Sequence, residues 1–341
     1  MPHSPSQPAS GASREPQHHG RAQTLQRPIW VLTDGKPGHE NQSRGLAESL
    51  SIMLEKSIEY VKPISSPRAL SCIGFGRIAA PDEWRLPPDQ QPDLVLAAGH
   101  STHNSLLAAK RCFHAKAIIL MKPSMPYRFF DLCVVPRHDD PPDRHNVIAT
   151  WGALNHIRPS SAPRSDRRVL LLGGPSKHHA WNNESVLAQI QALLAAAPDV
   201  QWTATTSRRT PDSFVAILNN LREPHLYVVP WTATPPDWVA AQLATCAEVW
   251  VTEDSVSMVY EALSSGAGVG LIHVDRISDT RVVRGIDDLI QHNVLTTFTD
   301  WRNGRVIETD PEKMIVLREA DRVAKLIVDR WYSAFSRGIA E

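Results

Sequence analysis

The sequence predicts an α/β protein made of two Rossmann-like, doubly wound parallel-sheet domains that face each other across a cleft. Apolar strands alternate with amphipathic helices along most of the chain, which is the pattern of parallel sheets with helical crossovers. The pattern restarts near residue 168, and in each half a glycine-containing loop follows the first strand. With 341 residues, the chain is long enough for two such domains.

The chain divides into five predicted segments. Residues 1–26 are rich in Pro, Ser, Gln and His and contain no apolar run, so we predict a disordered tail. Residues 27–158 and 168–310 are predicted to form the two Rossmann-like domains. Residues 159–167 between them are rich in Pro, Ser and Arg, which is typical of a linker. Residues 311–341 are predicted to contain a C-terminal helix that packs back on the N-terminal domain.

In the N-terminal half, short apolar runs bounded by turn residues predict strands. These runs are 29–33, 57–61, 93–99, 117–121 and 132–135. Apolar residues at three- and four-residue steps predict helices over 40–54 and 100–109. Residues 34–39 between the first strand and the first helix are predicted to form a loop.

The same two patterns predict the elements of the C-terminal half. The strands are predicted over 169–172, 201–205, 226–229, 249–252 and 269–274. The helices are predicted over 183–197, 212–221, 238–246 and 256–265, and a final helix over about 311–335. In such sheets ligands bind beyond the carboxyl ends of the strands, so the loops after the strands are where a site is expected.

Composition narrows the class of protein. The 36 basic residues balance the 36 acidic ones, which argues against a general nucleic-acid binder. No apolar run approaches the length of a membrane span, and residues 1–26 lack the apolar core of a signal peptide. The 4 cysteines are far apart, so neither a disulfide framework nor structural zinc is expected. We therefore predict a cytoplasmic protein.

The segment 249–266 is the most informative part of the chain. Polar residues follow its strand and continue into a helix that Gly266 closes; they are Glu253, Asp254, Ser255, Ser257 and Glu261. A helix N-terminus presents free N–H groups, which suit a phosphate, and Glu261 is placed to take the hydroxyls of a ribose. The alternative is an ordinary capping arrangement, with Asp254 or Ser255 as the N-cap and Glu261 in solvent.

Two glycine-containing loops are the other candidates. Gly35 and Gly38 precede His39, whose intrinsic pKa near neutrality suits a general base. Alternatively, this segment is a plain turn with a surface histidine.

The second loop resembles a phosphate cradle. Gly173 and Gly174 have no side chains to shield the backbone N–H groups from a phosphate. Ser176 offers a hydroxyl, and Lys177 supplies positive charge. The alternative is a turn that needs glycine for its geometry alone.

Residues 136–140, with Asp143 and His145, contain the residue types of a metal site. Their spacing fits no standard ligand pattern, so we predict no metal and favour a polar loop.

Four segments resemble the mitochondrial-fission Elm family, most of whose members are bacterial. They are Asp34–Gly45, Pro136–Asp139, Gly173–His178 and Thr252–Met258, within a match from about residue 28 to 335. The 249–266 segment also resembles the C-terminal domain of peptidoglycan glycosyltransferases of the MurG type. Two residues depart from that pattern: Gly268 stands in place of a proline, and acidic Glu253 in place of a basic residue.

The resemblance implies a two-domain fold of the GT-B type and a set of site residues. Glu261 corresponds to the residue that holds the ribose, and the helix start from Asp254 to Ser257 to the diphosphate seat. Gly35, Gly38 and His39 correspond to one glycine-rich loop of those enzymes, and Gly173 and Gly174 to the other. Glu253 and Met258 flank the diphosphate seat and are expected to contact the nucleotide-sugar.

The activity implied is transfer of a sugar from a nucleotide-sugar, which serves as substrate rather than cofactor, to a lipid or glycan acceptor of the cell envelope. His39 is the expected base, with His138 and Asp139 as the other candidates. Such an acceptor is compatible with a peripheral position at the inner membrane. Two alternatives stay open: a nucleotide-sugar epimerase on the same fold, and a non-catalytic adaptor of the mitochondrial-fission type.

Overall fold

Two parallel six-stranded sheets form the body of the molecule. The structure is a computed structural model and describes residues 27–65, 69–70, 73, 82–160, 165–278 and 280–332. The predicted disordered tail, residues 1–26, lies outside the described residues, as do residues 161–164 of the predicted linker. The two sheets and their flanking helices confirm the predicted fold class.

The N-terminal sheet has the strand order β2-β1-β3-β4-β5-β6, with every pair parallel. Its strands are β1 Ile29–Leu32, β2 Ile58–Val61, β3 Leu94–Ala98, β4 Lys116–Leu120, β5 Leu132–Pro136 and β6 Val147–Thr150. The α-helices are α1 Pro37–Leu54 and α2 His103–Phe113. Single 3₁₀ turns cover Asp82–Trp84, Pro88–Gln90, His100–Thr102, Tyr127–Phe129 and Arg137–Asp139.

The C-terminal sheet has the order β12-β11-β10-β7-β8-β9, again parallel throughout. Its strands are β7 Ser165–Leu171, β8 Trp202–Thr205, β9 Leu226–Val229, β10 Cys246–Thr252, β11 Gly268–Ile272 and β12 Thr296–Thr297. Its helices are α3 Asn183–Ala196, α4 Asp212–Asn220, α5 Trp238–Thr245, α6 Val256–Ser265, α7 Arg281–Gln291 and α8 Phe298–Arg302, with a 3₁₀ turn at Trp231–Ala233.

Three of the boundaries that differ from the prediction affect the candidate site or the domain junction. Helix α1 begins at Pro37, because proline is well suited to the first helical position, so Gly38 and His39 lie in its first turn rather than in a loop. Strand β7 begins at Ser165, inside the segment predicted as linker. The last helix, α9, covers Glu319–Trp331, so the prediction of helix over 311–318 was wrong.

The residues just before α9 cross from one domain to the other instead of forming a helix. The amide of Leu317 donates to the carbonyl of Leu263, and Ser264 Oγ donates to the carbonyl of Leu317. Leu317 belongs to the core of the C-terminal domain, whereas Val323 and Ile327 of α9 pack with the N-terminal core. Helix α9 thus lies against α1 of the N-terminal domain.

Candidate functional site in the interdomain cleft

The residues that follow the carboxyl ends of strands in the two sheets meet across the domain boundary. Asn41 of α1, which follows β1, contacts Glu261 of α6, which follows β10. His138, which follows β5, lies against Gly285 of α7, which follows β11. These contacts form a cleft at the place where doubly wound sheets bind ligands.

The segment 151–158 crosses between the domains and packs closely against α6 and α1. Tyr260 donates its hydroxyl to the carbonyl of Trp151 at 3.0 Å, and Asn155 donates to the carbonyl of Tyr260 at 3.2 Å. A side chain on Gly152 would lie 2.1 Å from the Tyr260 ring, and one on Gly45 would lie 2.2 Å from the Asn155 carbonyl oxygen. Close packing therefore fixes α6 and α1 on the crossing segment.

His39 is held by a carboxylate at the start of α1. Its Nδ1 lies 3.1 and 3.0 Å from the two oxygens of Asp34, whose side chain is 6% exposed. Although burial alone would raise the pKa of Asp34, hydrogen bonds from Ser101 and His39 lower it below its usual value. An ionised carboxylate can only accept, so Nδ1 carries the proton and Nε2 is left as the basic nitrogen.

The backbone makes room for this histidine. Gly99 has φ +85°, and a side chain there would meet His39 Cε1 at 2.4 Å. Gly35, at φ +77°, sits in the turn after β1, where a left-handed residue is needed. A Cβ added to Gly38 would have nothing within 4 Å, so space alone does not require glycine there.

The loop that contains Gly173 and Gly174 is tied to the start of α6. The amide of Gly173 donates to Thr252 Oγ1 at 2.7 Å, and that of Gly174 donates to Asp254 Oδ2 at 2.9 Å. A side chain on Gly173 would collide with Asp254, and one on Gly174 with the carbonyl of Arg209. Both amides are thus engaged within the domain, and close packing accounts for both glycines.

Arg209 completes this arrangement, and the sequence did not point to it. Its guanidinium donates to the carbonyl of Gly174 at 2.7 Å and lies 2.8 Å from Asp254 Oδ2. The Asp254 side chain is fully buried, and its Oδ1 has no hydrogen-bond partner among the described residues. Arg209 therefore holds the Gly173–Gly174 loop and the α6 start together.

Ser176 and Lys177 differ in how firmly they are held. Ser176 Oγ accepts from the amides of His178 and His179 at 3.1 Å, which stiffens the turn. Lys177 is exposed and has no ion pair among the residues that the structure describes. Its ammonium group is therefore available to a ligand at this loop.

The residues around the α6 start divide into buried and accessible ones. Glu253 is buried in its own domain, where it accepts from Val274, His273 and Arg276. Burial would raise its pKa, but the hydrogen bond from His273 and the other contacts lower it. Ser255 is the N-cap residue and makes no side-chain capping bond, whereas Ser257 is exposed. Met258 is half-buried and packs on the C-terminal core.

Glu261 points to the N-terminal domain rather than to solvent. Asn41 Nδ2 donates to Glu261 Oε1 at 2.6 Å, and Asn41 Oδ1 accepts from His156 Nδ1. Burial raises the pKa of Glu261 to about 7, against the smaller opposing effect of the Asn41 hydrogen bond. The carboxyl group of Glu261 is therefore only partly ionised at neutral pH.

The contacts of Glu261 continue to the surface through residues that the sequence did not single out. His156 Nε2 lies 3.2 Å from Asp237 Oδ1, and Asp237 forms a two-pronged ion pair with Arg44 at 2.5 and 3.1 Å. The hydrogen bond from Arg44 is the main cause of the lowered pKa of Asp237. Burial lowers the pKa of His156, and Asp237 opposes that effect. A polar chain thus joins α1, the crossing segment and the C-terminal domain.

His138 and Asp139 lie apart from His39. Strands β1 and β5 are separated by β3 and β4, which places them about 14 Å apart. Burial lowers the pKa of His138, and its Nδ1 has no hydrogen-bond partner among the described residues. Asp139 Oδ1 lies 3.7 Å from Arg281 Nη1. The two histidines therefore follow strands that are three positions apart in the sheet.

No group of three or more His, Cys, Asp or Glu residues in the described part of the chain is placed to hold a metal ion. No described helix is long and apolar enough to cross a membrane.

The fold and the cleft define a two-domain protein of the GT-B type, the architecture of glycosyltransferases and of nucleotide-sugar epimerases. A Listeria monocytogenes protein assigned as a UDP-N-acetylglucosamine 2-epimerase has TM-score 0.53 and 12% identity, with 92% of this chain and 97% of that one covered. The glycosyltransferase SnogD from Streptomyces nogalater has TM-score 0.44 and 13% identity, with 88% and 94% covered.

The family model described as mitochondrial fission ELM1 matches residues 37–331. The chain belongs to that family, which confirms the resemblance drawn from the four segments. The Rickettsia prowazekii (strain Madrid E) protein RP120 is 22% identical over 353 residues, which cover 88% of this chain and 97% of that protein.

Proposed function

We propose that the protein binds a nucleotide-diphosphate sugar in the cleft and transfers the sugar to a hydroxyl group of an acceptor. The observation that carries this proposal is the pairing of His39, on the first turn of α1, with Asp34 of the preceding loop. Asn41, two residues further along α1, reaches Glu261 of α6. The proposed base and the proposed ribose ligand thus lie on opposite domains.

In the proposed reaction His39 Nε2 removes the proton from the acceptor hydroxyl as its oxygen attacks the sugar carbon. Asp34 fixes the ring and stabilises the imidazolium that forms, as a positioned carboxylate does for other catalytic histidines. The bond between the sugar and the diphosphate breaks, and negative charge grows on the leaving diphosphate. The N–H groups at the start of α6 and the ammonium of Lys177 are suited to stabilise that charge.

Glu261 accepts the ribose hydroxyls in this proposal, which means that the nucleotide competes with Asn41 for the carboxylate. The carboxyl group is ionised only above its pKa of about 7, and only the ionised form accepts two hydroxyl bonds with both oxygens. Nucleotide affinity should therefore rise with pH around neutrality. Such a dependence would separate a ribose contact at Glu261 from binding elsewhere.

The first experiment is a thermal-shift screen of the wild-type protein against UDP-, GDP-, ADP- and CMP-sugars. A ligand that binds only the folded state stabilises it by about 2.7 kcal/mol at a hundredfold excess over its dissociation constant. Incubation with the binding donor, with and without acceptor extracts, then separates two reactions. An epimerase converts the donor sugar with no acceptor present, whereas a transferase does not.

The variant that tests the ribose contact is Glu261→Ala, which should lose nucleotide-sugar binding and keep its fold. Lost hydrogen bonds to a charged group weaken binding by about 1.5–3 kcal/mol each, or roughly 10- to 150-fold. Calorimetric titration measures the affinity, and Glu312→Ala is the control because Glu312 is exposed and outside the cleft. Equal affinity of Glu261→Ala and wild type would remove Glu261 from the site.

A further inference from the structure

Within the cleft, a cavity of about 350 Å³ lies between the residues after β5 and helix α7. Its size falls within the range of roughly 300–1,000 Å³ that is usual for small-molecule sites. Its walls carry both signs of charge, on Arg137, Asp140, Arg281, Arg284, Asp287 and Asp288. None of these wall residues has a role in the transfer proposed above, and His138, the alternative candidate base, also lines the cavity.

The guanidinium groups of this cavity are poorly neutralised. Arg281 lies 3.7 Å from Asp139, whereas Arg137 and Arg284 have no carboxylate within 4.0 Å among the residues that the structure describes. The Arg137 guanidinium instead lies over the Trp151 ring at 4.3 Å, which holds it in one place. Guanidinium groups bind phosphate and carboxylate groups through paired N–H donors, so these walls suit an anionic group.

The remaining polar atoms of the cavity suit hydroxyl groups. Asp287 is already engaged by Arg276 at 2.7 Å, but Asp140 and Asp288 have no arginine or lysine partner in the described ranges. The buried Nδ1 of His138 also lacks a hydrogen-bond partner there. A bare phosphate would meet two carboxylates and fill little of the volume, whereas hydroxyl groups donate to carboxylates and to an unprotonated ring nitrogen.

We propose that this cavity binds an acidic sugar, a sugar ring that carries a phosphate or carboxylate group, as part of the acceptor. That this sugar is part of the acceptor rests on the proposed function, whereas its binding in the cavity does not. The cavity lies about 14 Å along the sheet from β1, so it holds a sugar some distance from the hydroxyl that His39 activates. It selects the acceptor through a remote anionic group.

The test is calorimetric titration of the donor-free protein with three probes: glucose 6-phosphate, glucuronate and glucose. At least one of the two acidic probes should bind about tenfold or more tightly than glucose. Arg284→Gln should weaken that binding by about tenfold or more, and Arg137→Gln should act in the same direction. Arg222→Gln is the matched control, because Arg222 is exposed and outside the cavity. The two acidic probes distinguish phosphate from carboxylate recognition.

Equal affinity for all three probes, or acidic-probe affinity that Arg284→Gln leaves unchanged, would overturn the proposal. Thermal unfolding of each variant shows whether it is folded, and Arg284 is exposed, so its replacement should not affect the core. A parallel titration with the nucleotide-sugar separates the two proposals. If the protein binds the nucleotide-sugar but no acidic sugar, only the proposal for the cavity is contradicted. If it binds an acidic sugar but no nucleotide-sugar, only the proposed transfer reaction is contradicted.

Discussion

His39 and Glu261 are the two side chains on which the proposed chemistry depends, and their surroundings prepare them differently. His39 is partly exposed, with its Nδ1 fixed on a buried carboxylate and its Nε2 available for proton transfer. Glu261 is held against the other domain by Asn41, and its burial brings its pKa close to neutral pH. Asp34 thus positions His39, whereas desolvation raises the pKa of Glu261.

Replacement of His39 by alanine should abolish transfer and spare donor binding, because the proposed nucleotide contacts lie on the C-terminal domain. Loss of a general base lowers turnover by about 10²–10⁴. The assay follows a labelled sugar at saturating donor and is run beside a donor titration. His145→Ala serves as the control, since His145 is exposed on the loop before β6. Normal turnover by His39→Ala would move the search for a base to His138.

Glu261 should also make stability depend on pH. Its folded pKa of about 7 lies above the value of about 4.3 for an unfolded chain, so the folded state holds the proton more tightly. This contribution to the unfolding free energy is complete below about pH 4.3 and is lost as the pH rises through 7. It amounts to about 3–4 kcal/mol.

Glu261→Gln should flatten the dependence between about pH 4.3 and 7, because an amide cannot ionise. Urea unfolding at several pH values measures it, with Glu312→Gln as the exposed control. Parallel curves for wild type and Glu261→Gln would show that the carboxyl group is not desolvated in the folded protein.

At this scale the sequence predicts residue types better than partners. Helical spacing correctly places Glu261 on α6, but it puts His39 in the loop before α1, whereas His39 lies in the first turn of that helix. The partner of Glu261 is Asn41, 220 positions away, and no local pattern encodes such a contact. Arg209 is missed for the same reason, because its role depends on how two loops approach each other.

Among the elements, local signals locate those that are long or strongly patterned. Helix α6 covers the predicted residues, with Gly266 at φ 72° as its C-cap. The sequence did not predict β6 or α7. Helix α7 does carry Val283, Ile286 and Leu289 at helical spacing, but Gly285 interrupts the pattern because it packs against His138 and Tyr260.

The two glycines of α1 allow a test of how the crossing segment holds the domains. Gly45→Ala would place a methyl group 2.2 Å from the Asn155 carbonyl, whereas Gly38→Ala meets nothing within 4 Å. We expect Gly45→Ala to lower the unfolding free energy by about 1–3 kcal/mol through overpacking. Gly38→Ala should be neutral or raise it by about 0.5–1 kcal/mol. Chemical denaturation compares the two, and equal stabilities would mean that α1 does not clamp the crossing segment.

Over the whole molecule, polar contacts join the two domains along one line from Glu261 to Arg44. Within this line Asn41 touches both the carboxyl group in the cleft and the imidazole of the crossing segment. The proposed ribose contact uses the same carboxylate. A bound nucleotide would therefore replace the hydrogen bond between Asn41 and Glu261. Ligand binding is then coupled to the relative position of the domains, because each state offers Glu261 a different partner.

Asn41→Ala should therefore open the cleft and strengthen nucleotide binding. The variant removes the competitor for Glu261, and a hydrogen bond of this kind contributes about 1 kcal/mol, so the dissociation constant should fall roughly fivefold. Small-angle scattering should show a larger radius of gyration for the free variant than for free wild type, because a bond across the domains is lost. Asn219→Ala is the matched control, with an exposed asparagine on α4. Weaker nucleotide binding by Asn41→Ala would show instead that Asn41 helps to hold the ligand. Unchanged binding and scattering would mean that this contact does not control the cleft.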